Sequence, residues 1–461
     1  MAQTHPDRLA ALAILHGMSP APVARCRVLE IGCGNGANLI PMALTLPDSR
    51  FTGIDLARTA IETARATAKA LAAANCRLEH LDLMDLTPDF GEFDYIIAHG
   101  VYSWVPAAVR DKLLAVCRAN LAPDGVAYVS YNTYPGCRLR EITRDMMRYH
   151  TRGIAVPEDK LNSALELVRT MSAAEPAVAA LCEELKAVLS REPTVLFHDD
   201  LADTNHPVYF HEFVEHARSC GLQFLAEAQF SSMQEAALNP AAAEAVRALA
   251  GDDRIRKQQY LDFFKCRRFR QTLLCRAEIR LEDPPDARRV STLWADCAAQ
   301  PVSEEEFRAP DGASIRTNLP LAKAAIGHLS RSWPRAVPFE ELLTSVPHPA
   351  FLQDLLLRTY ASGLVELHAS PSPFTTEVRE CPRAFSLARY HAARGSTIPT
   401  LRHSTVAVED RLARRLIELL DGTRSRQELL RDLQAFAGFS VSAEDLDRNL
   451  AKLARLALLE A

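Results

Sequence analysis

Two neighbouring stretches restrict what this chain can fold into more than any others: residues 28–36 read VLEIGCGNG, and residues 51–55 read FTGID. Val28, Leu29 and Ile31 form a short apolar run, as a strand covered on both faces requires. Gly32, Gly34 and Gly36 then let the backbone turn sharply and approach a ligand closely, because no Cβ intervenes. A helix is predicted from about Gly36 to Leu46, aiming its free amides at whatever lies over the turn. Asp55, at the tip of the next strand, is an obligate acceptor suited to the two hydroxyls of a ribose.

The glycines alone leave the ligand open. Gly32, Gly34 and Ala37 also satisfy the G-x-G-x-x-G/A spacing of dinucleotide sites, with Asp55 as the ribose acid. Three features favour S-adenosylmethionine over NAD. Glu30 stands two residues before the first glycine, where a pyrophosphate would be repelled and a cationic amino-acid ligand welcomed. Asp82 follows the apolar Leu81 after a third short strand, placed to accept from an adenine amino group. Leu121 to Gly125 (LAPDG) make a turn into a fifth strand, Val126 to Tyr131. In this order the motifs resemble those of the class I methyltransferases. The residues expected to hold the cofactor are Glu30, Gly32, Cys33, Gly34, Asn35, Gly36, Asp55, Leu56, Asp82, Leu83, His99 and Gly100.

A chain of 461 residues is too long for one hydrophobic core and implies two to four domains. A net charge of −5 supplies no overall basic field for nucleic acid or anionic membrane. Eleven cysteines without a C-x-x-C pair point to a reducing cytoplasm rather than to zinc or disulfides. No basic-then-apolar leader and no window of about 18 uninterrupted apolar residues is found, so a cytoplasmic protein that does not enter membranes is expected.

After a helix from Pro6 to Met18, strands near 26–31, 50–55, 76–81, 93–98 and 125–131 alternate with helices, the mark of a parallel sheet covered on both faces. Residues 138–191 are helix-rich, and strand-like runs return at Leu222–Ala226 and Arg270–Cys275. These complete a Rossmann-like, doubly wound, mostly parallel seven-stranded sheet. The predicted division is a catalytic domain of 1–137 with 206–278, a helical insertion (the middle or regulatory part) of 138–205, a linker of 279–310 and winged-helix-like α+β units at 311–390 and 391–461.

Methyl transfer from a sulfonium requires alignment of two partners, exclusion of water and a nucleophile with a free lone pair. The loop HGVYSWVP, His99 to Pro106, is the expected wall of the reacting site. Tyr102 and Trp104 could surround a cationic amine and the methylsulfonium through their ring faces. His99 could accept a proton or could hold the loop by hydrogen bonds. From the loop YNTYPG, Tyr131 and Asn132 would face the methyl donor, with the Asn132 carbonyl orienting an amine. Arg138, Arg140 and Arg144 read as a solvated basic face. The spacing of His198, His206, His211 and His216 supplies no metal set, and no metal is expected. In FFKCRRFR, Phe263 to Arg270, the aromatics read more simply as core than as a nucleic-acid surface.

Longer strings resemble one bacterial subgroup. They include THPDRLAALA from Thr4, CRVLEIGCGNGANLIPMA from Cys26, EFDYIIAHGVYSWVP from Glu92, YVSYNTYPG from Tyr128 and QYLDFFKCRRFRQTLLCR from Gln259. The chain is similar to methyltransferases that carry a methyltransferase regulatory domain, a group that includes rickettsial protein-lysine methyltransferases acting on an outer-membrane protein. The resemblance implies S-adenosylmethionine as methyl donor, S-adenosylhomocysteine as product, a protein substrate and a homodimer. Two departures stand out: relatives carry an aromatic arm before the segment at Thr4, and a Trp where this chain has Cys137. The reading is therefore an N-methyltransferase for protein lysines. A small-molecule or peptide-tailoring methyltransferase is the alternative, and a cofactor-binding regulator whose winged helices touch DNA is the third.

Overall fold

In the computed structural model, residues 1–461 are described except for 175, 177, 194–195 and 236–237. After helix α1 (Pro6–Leu15) come β1 (Arg27–Ile31), β2 (Arg50–Asp55), β3 (Cys76–His80), β4 (Phe93–Ala98) and β5 (Leu121–Asn132). Helices α2 (Leu39–Thr45), α3 (Arg58–Ala70) and α4 (Ala107–Asn120) alternate with them. The two late strands, β6 (Leu222–Glu227) and β7 (Phe269–Arg276), join the same sheet in the order β3-β2-β1-β4-β5-β7-β6. β7 runs antiparallel to both neighbours, and the other pairs are parallel. The LAPDG turn lies within β5 as a register shift, since Phe93 pairs with Leu121 while Tyr95 pairs with Val126. Along β1 the apolar side chains part to opposite faces: Val28 joins one core, and Leu29 and Ile31 the other.

Between β5 and β6 lie α5 (Cys137–His150), α6 (Pro157–Ala173), α7 (Ala179–Leu189) and α8 (Phe210–Ser219). The first three pack round a small core of their own containing Met147, Ala164, Val168, Leu185 and Val188. Helices α9 (Pro240–Ala250) and α10 (Arg254–Lys265) connect β6 to β7.

The stretch 279–310 is not a linker. Its β8 (Trp294–Asp296) is the middle strand of a small sheet with β9 (Val337–Pro338) and β10 (Glu366–His368). Val290, Leu293, Ala295 and Cys297 are buried in the core shared with the large sheet. Of the Pro, Asp and Glu residues that suggested a linker, Asp283, Pro284, Pro301, Glu304, Glu305 and Pro310 are exposed, whereas Asp296 is buried. Helices α11 (Pro320–Ser332), α12 (Phe339–Leu342) and α13 (Pro349–Ala361) complete it. The second unit begins earlier than residue 391, because Phe374, Ala384 and Phe385 belong to its core. It contains α14 (Ser386–Ala392), the hairpin β11 (Thr397–Pro399) and β12 (Thr405–Ala407), then α15 (Arg411–Leu419), α16 (Arg426–Ala437) and α17 (Ala443–Arg455). Ser425 and Glu428 form the capping box expected at the start of α16.

The first turn of α1 and both C-terminal units meet at a buried polar seam. His368 lies 2.6 Å from Asp7 Oδ2 and 2.9 Å from Asp296 Oδ2, and Arg402 donates to the same Asp296 oxygen at 2.8 Å. Burial alone would lower the His368 pKa, but the two carboxylates override it and raise it to about 9. Among the described residues, no helix is long and apolar enough to cross a membrane.

Candidate active site at the carboxyl ends of the parallel strands

The topology brings Glu30, Asp55, Asp82 and His99 to the same edge of the sheet, at or just beyond the carboxyl ends of β1 to β4. Strand order reverses between β1 and β4, where ligands of such sheets bind. Gly32, Gly34 and Gly36 have φ of +73°, +54° and +75°, values that glycine adopts without a steric penalty. A Cβ on Gly34 would meet nothing within 4 Å, so that position faces open space above the turn.

The turn is fastened to β2 by its own amides. Gly32 and Cys33 donate to Ile54 O at 2.9 and 3.1 Å, and Gly34 donates to Asp55 Oδ2 at 2.8 Å. Asp55 Oδ1 accepts from Ala57 N at 2.8 Å, which leaves each carboxylate oxygen with further lone-pair capacity. Cys33 departs from its expected role: its side chain is buried and its sulfur packs against Gly53, so any contribution to the loop comes from the backbone. Asn35 is spent locally, accepting from Ala37 N at 3.2 Å. The helix starts at Leu39 rather than Gly36, because the positive φ of Gly36 lies outside helical geometry.

Glu30 is 3% exposed. Its Oε1 accepts from Asn38 Nδ2 at 2.8 Å, and its Oε2 is buried with no partner. Burial raises its pKa to about 7 against the opposing pull of the Asn38 bond and the Met1 ammonium. An orphaned carboxylate oxygen is what a cationic amino-acid group would satisfy, and it fits S-adenosylmethionine better than a pyrophosphate. Leu56, 67% exposed directly after Asp55, offers an apolar surface to a base. Asp82 uses one oxygen on Met84 N at 2.9 Å, and Leu83 is buried behind it. Gly100, with φ +66°, donates to Ser130 Oγ at 2.8 Å.

On the other side of the opening the side chains are more fully engaged. His99 Nδ1 lies 2.9 Å from Tyr128 Oη and 3.3 Å from Ser130 Oγ, and burial pushes its pKa down to about 4, so the ring is neutral. Tyr102 and Tyr131 do not line the opening. Tyr102 is 2% exposed, packed edge-on against Phe213 with its hydroxyl 2.8 Å from His216 Nδ1. Tyr131 stacks on Phe213 at 4.1 Å and reaches Thr272 Oγ1 at 3.1 Å. Both turn toward α8: Tyr131 because alternate β5 residues face that core, and Tyr102 from the turn that follows β4. Trp104 faces an internal cation rather than a free space: the Arg144 guanidinium lies 5.7 Å from its ring. Asn132 donates from Nδ2 to Asn205 Oδ1 at 2.8 Å, and among the described residues no donor reaches its Oδ1.

Asn205 escaped sequence reasoning, and His206 entered it only as a member of a histidine stretch without metal spacing. His206 N donates to Ser103 O at 2.8 Å, while Tyr134 N donates to Val208 O at 3.2 Å. The end of the insertion thus threads between the two loops and ties them together. Polar residues in a long connection carry no local signal of such a role. Two surface readings also change. Arg140 and Arg144 are not a solvated face: Arg140 is held by the buried Asp200 at 2.8 Å, and Arg144 is 4% exposed. Phe263, Phe264 and Phe269 are 41–45% exposed rather than core, while the neighbouring Arg270 is buried between Asp262 and Glu227. Among the described residues no group of three or more His, Cys, Asp or Glu is arranged to hold a metal.

Three family models match the chain: a methyltransferase domain over residues 28–125, a predicted methyltransferase regulatory domain over 192–276, and a PKMT C-terminal winged helix domain over 380–456. The second overlaps the helical insertion only at its end and otherwise spans α8 to β7, including the antiparallel strand pair of the large sheet. The Rickettsia prowazekii protein RP789 is 36% identical over 312 residues, 66% of this chain, and the chain covers 56% of that protein's length. RP028 of the same organism is 37% identical over 220 residues, 47% of this chain and 88% of that protein. The solved structure of PKMT2 from Rickettsia typhi in complex with AdoHcy superposes with a TM-score of 0.86 at 26% identity, covering 100% of this chain and 98% of that one. With its nucleoside-binding edge, its acidic cradle and these relatives together, the chain belongs to the class I S-adenosylmethionine-dependent methyltransferases that carry a methyltransferase regulatory domain.

Proposed function

We propose that this protein transfers the methyl group of S-adenosylmethionine to lysine side-chain amines of a protein substrate. The observation that carries the reading is the end-to-end likeness to PKMT2, which extends through the helical insertion and both C-terminal units. The strand-end cradle is common to methyltransferases of many acceptors, so shared architecture outside it speaks to the acceptor.

S-adenosylmethionine supplies an activated methyl on a good leaving group. The chain's own residues bind, orient and exclude water. Glu30 and Asp55 take the amino-acid and ribose ends, and Asp82 and Leu56 the base. Asn132 Oδ1 supplies an acceptor for an amine N–H beside the loop of His99. A lysine amine has a pKa near ~10.4 in water and must arrive or become neutral before it attacks. His99, held neutral with its pKa at about 4, is too weak a base to retain that proton. It serves as an uncharged hydrogen-bonding wall, and water carries the proton away.

The test is transfer of labelled methyl from S-adenosylmethionine into a lysate of the source organism, split into protein and small-molecule fractions. Label recovered as methyl-lysine after acid hydrolysis of the protein supports the proposal. Label confined to the small-molecule fraction would replace it with a tailoring activity.

A further inference from the structure

We infer that Asn38 is a positioning residue for the amino-acid end of the methyl donor, turning Glu30 toward it and linking Glu30 to the chain around Thr4. The inference rests on the family's cofactor and gives Asn38 and Thr4 roles that the sequence reading assigned to neither. Asn38 immediately precedes α2, where an asparagine would ordinarily cap the helix, yet its side chain makes no capping bond. It is turned inward instead. Its Nδ2 donates to Glu30 Oε1 at 2.8 Å, while its Oδ1 accepts from the Met1 nitrogen at 2.8 Å and lies 3.0 Å from Thr4 Oγ1.

That arrangement has only one sense. An amide carries donors at one end and acceptors at the other, so the donors gathered at Oδ1 oblige Nδ2 to face the carboxylate. One oxygen of Glu30 is thereby fixed, and the other, Oε2, is left buried and unpartnered. A buried carboxylate oxygen without a donor is costly, and an ammonium brought by the ligand removes that cost. Thr4, itself fully buried, holds the far side of the amide.

The charge state of Glu30 depends on the same contact. Facing it are the Asn38 amide and the Met1 ammonium, which favour the carboxylate, and Asp55, which disfavours it. The Cys33 and Cys76 thiols nearby stay protonated, with burial the main cause and the Glu30 charge adding to it. Loss of the Asn38 bond would leave Glu30 more often protonated at neutral pH and less able to receive a cation.

The experiment is calorimetric titration with S-adenosylhomocysteine between about pH 5.5 and 7.5, where the ligand's amine is charged. Wild type, Asn38→Ala, Thr4→Val and Glu30→Gln are compared, together with the Asn38→Ala/Glu30→Gln double variant. Wild-type affinity should rise with pH as Glu30 ionises. Asn38→Ala should bind about tenfold more weakly at neutral pH, the scale of a lost hydrogen bond to a charged group, with its inflection moved to higher pH. Thr4→Val, which leaves Asn38 in place, should shift both in the same direction by less. In the Glu30→Gln background the Asn38 change should add almost nothing. An unmoved inflection, or an equal loss with and without Glu30, overturns the inference and leaves Asn38 merely structural. If the wild type itself does not bind S-adenosylhomocysteine, the cofactor assignment fails instead, which keeps the two failures apart.

Discussion

The cofactor side of the opening is held by short bonds along the chain: Asp55 to Ala57, Asp82 to Met84, Glu30 to Asn38 and Asp55 to Gly34 are separated by 2, 2, 8 and 21 residues. The acceptor side is held by long ones, with Asn132 to Asn205, Tyr102 to His216 and Tyr131 to Thr272 separated by 73, 114 and 141 residues. The first side leaves polar atoms and an apolar side chain open to a ligand, as at Glu30 Oε2 and Leu56. The second uses its polar atoms on the protein itself, Asn132 Oδ1 excepted. A nucleoside cradle can therefore be made by consecutive βαβ units, whereas the acceptor wall exists only once the insertion and the late strands have packed against it.

The largest effect should come from the cofactor side. Asp55→Ala removes the ribose acceptor and the anchor of two backbone amides, each bond to a charged group worth about 1.5–3 kcal/mol. Affinity for S-adenosylhomocysteine should fall by about a hundredfold or more, measured by calorimetry on protein whose circular dichroism is unchanged. Unchanged affinity would sink the ribose assignment. Asn132→Ala comes next and sharpens the contrast. Methyl transfer should drop by about tenfold while cofactor affinity stays within about twofold, since only the acceptor side loses a hydrogen-bonding group. A parallel fall in both would show that the two sides are not separable.

The same contrast explains what the sequence made legible. The five parallel strands, the glycine turn and Asp55 are local patterns of apolar runs and punctuation, and the strands stand within a residue or two of where the sequence put them, except that β5 begins at Leu121 rather than near residue 125. The roles of Tyr102, Trp104 and Tyr131 depend on which core each ring enters. That choice is made by Phe213 and Arg144, and no local pattern in their own loops records it. Residues 279–310 misled for a related reason: a strand of three residues such as β8 is too short to show alternation, and its partners lie about 40 and 70 residues further on. The loop-tying bonds of Asn205 and His206 left no signal, because backbone and amide bonds between loops are indifferent to most side-chain types.

A pH prediction asks whether the cofactor side depends on the C-terminal units. Asp7, three residues beyond Thr4, is held by His368 across the seam. The folded His368 pKa of about 9 lies above its ordinary value of 6.5. Its contribution to stability is therefore complete below about pH 6.5 and is lost as pH rises through about 9. By linkage it amounts to roughly 3 kcal/mol at most. The melting temperature should fall between about pH 7 and 9.5, and His368→Ala should start lower and flatten that fall. If cofactor affinity weakens over the same interval in wild type but not in the variant, the seam supports the segment at Thr4. A fall of equal size in both proteins would place the titration elsewhere.

The smallest effect is expected where the residue types alone suggest the largest. Tyr102→Phe removes a hydroxyl whose partner, His216, is already engaged through Nε2 by Asp111 at 3.0 Å. Burial raises the phenol pKa to about 12, so it is neutral and donates no charge to the site at any physiological pH. The ring contacts with Phe213 and Tyr131 survive the substitution, and the hydroxyl points toward α4 and α8 rather than to the opening. The variant should melt lower by the equivalent of about 1 kcal/mol, the net worth of one hydrogen bond, with an unchanged rate of methyl transfer and unchanged cofactor affinity. A rate reduced by tenfold or more at full cofactor occupancy would mean that the acceptor wall is rearranged when substrate binds, and that its inward-turned tyrosine is drawn back to the opening.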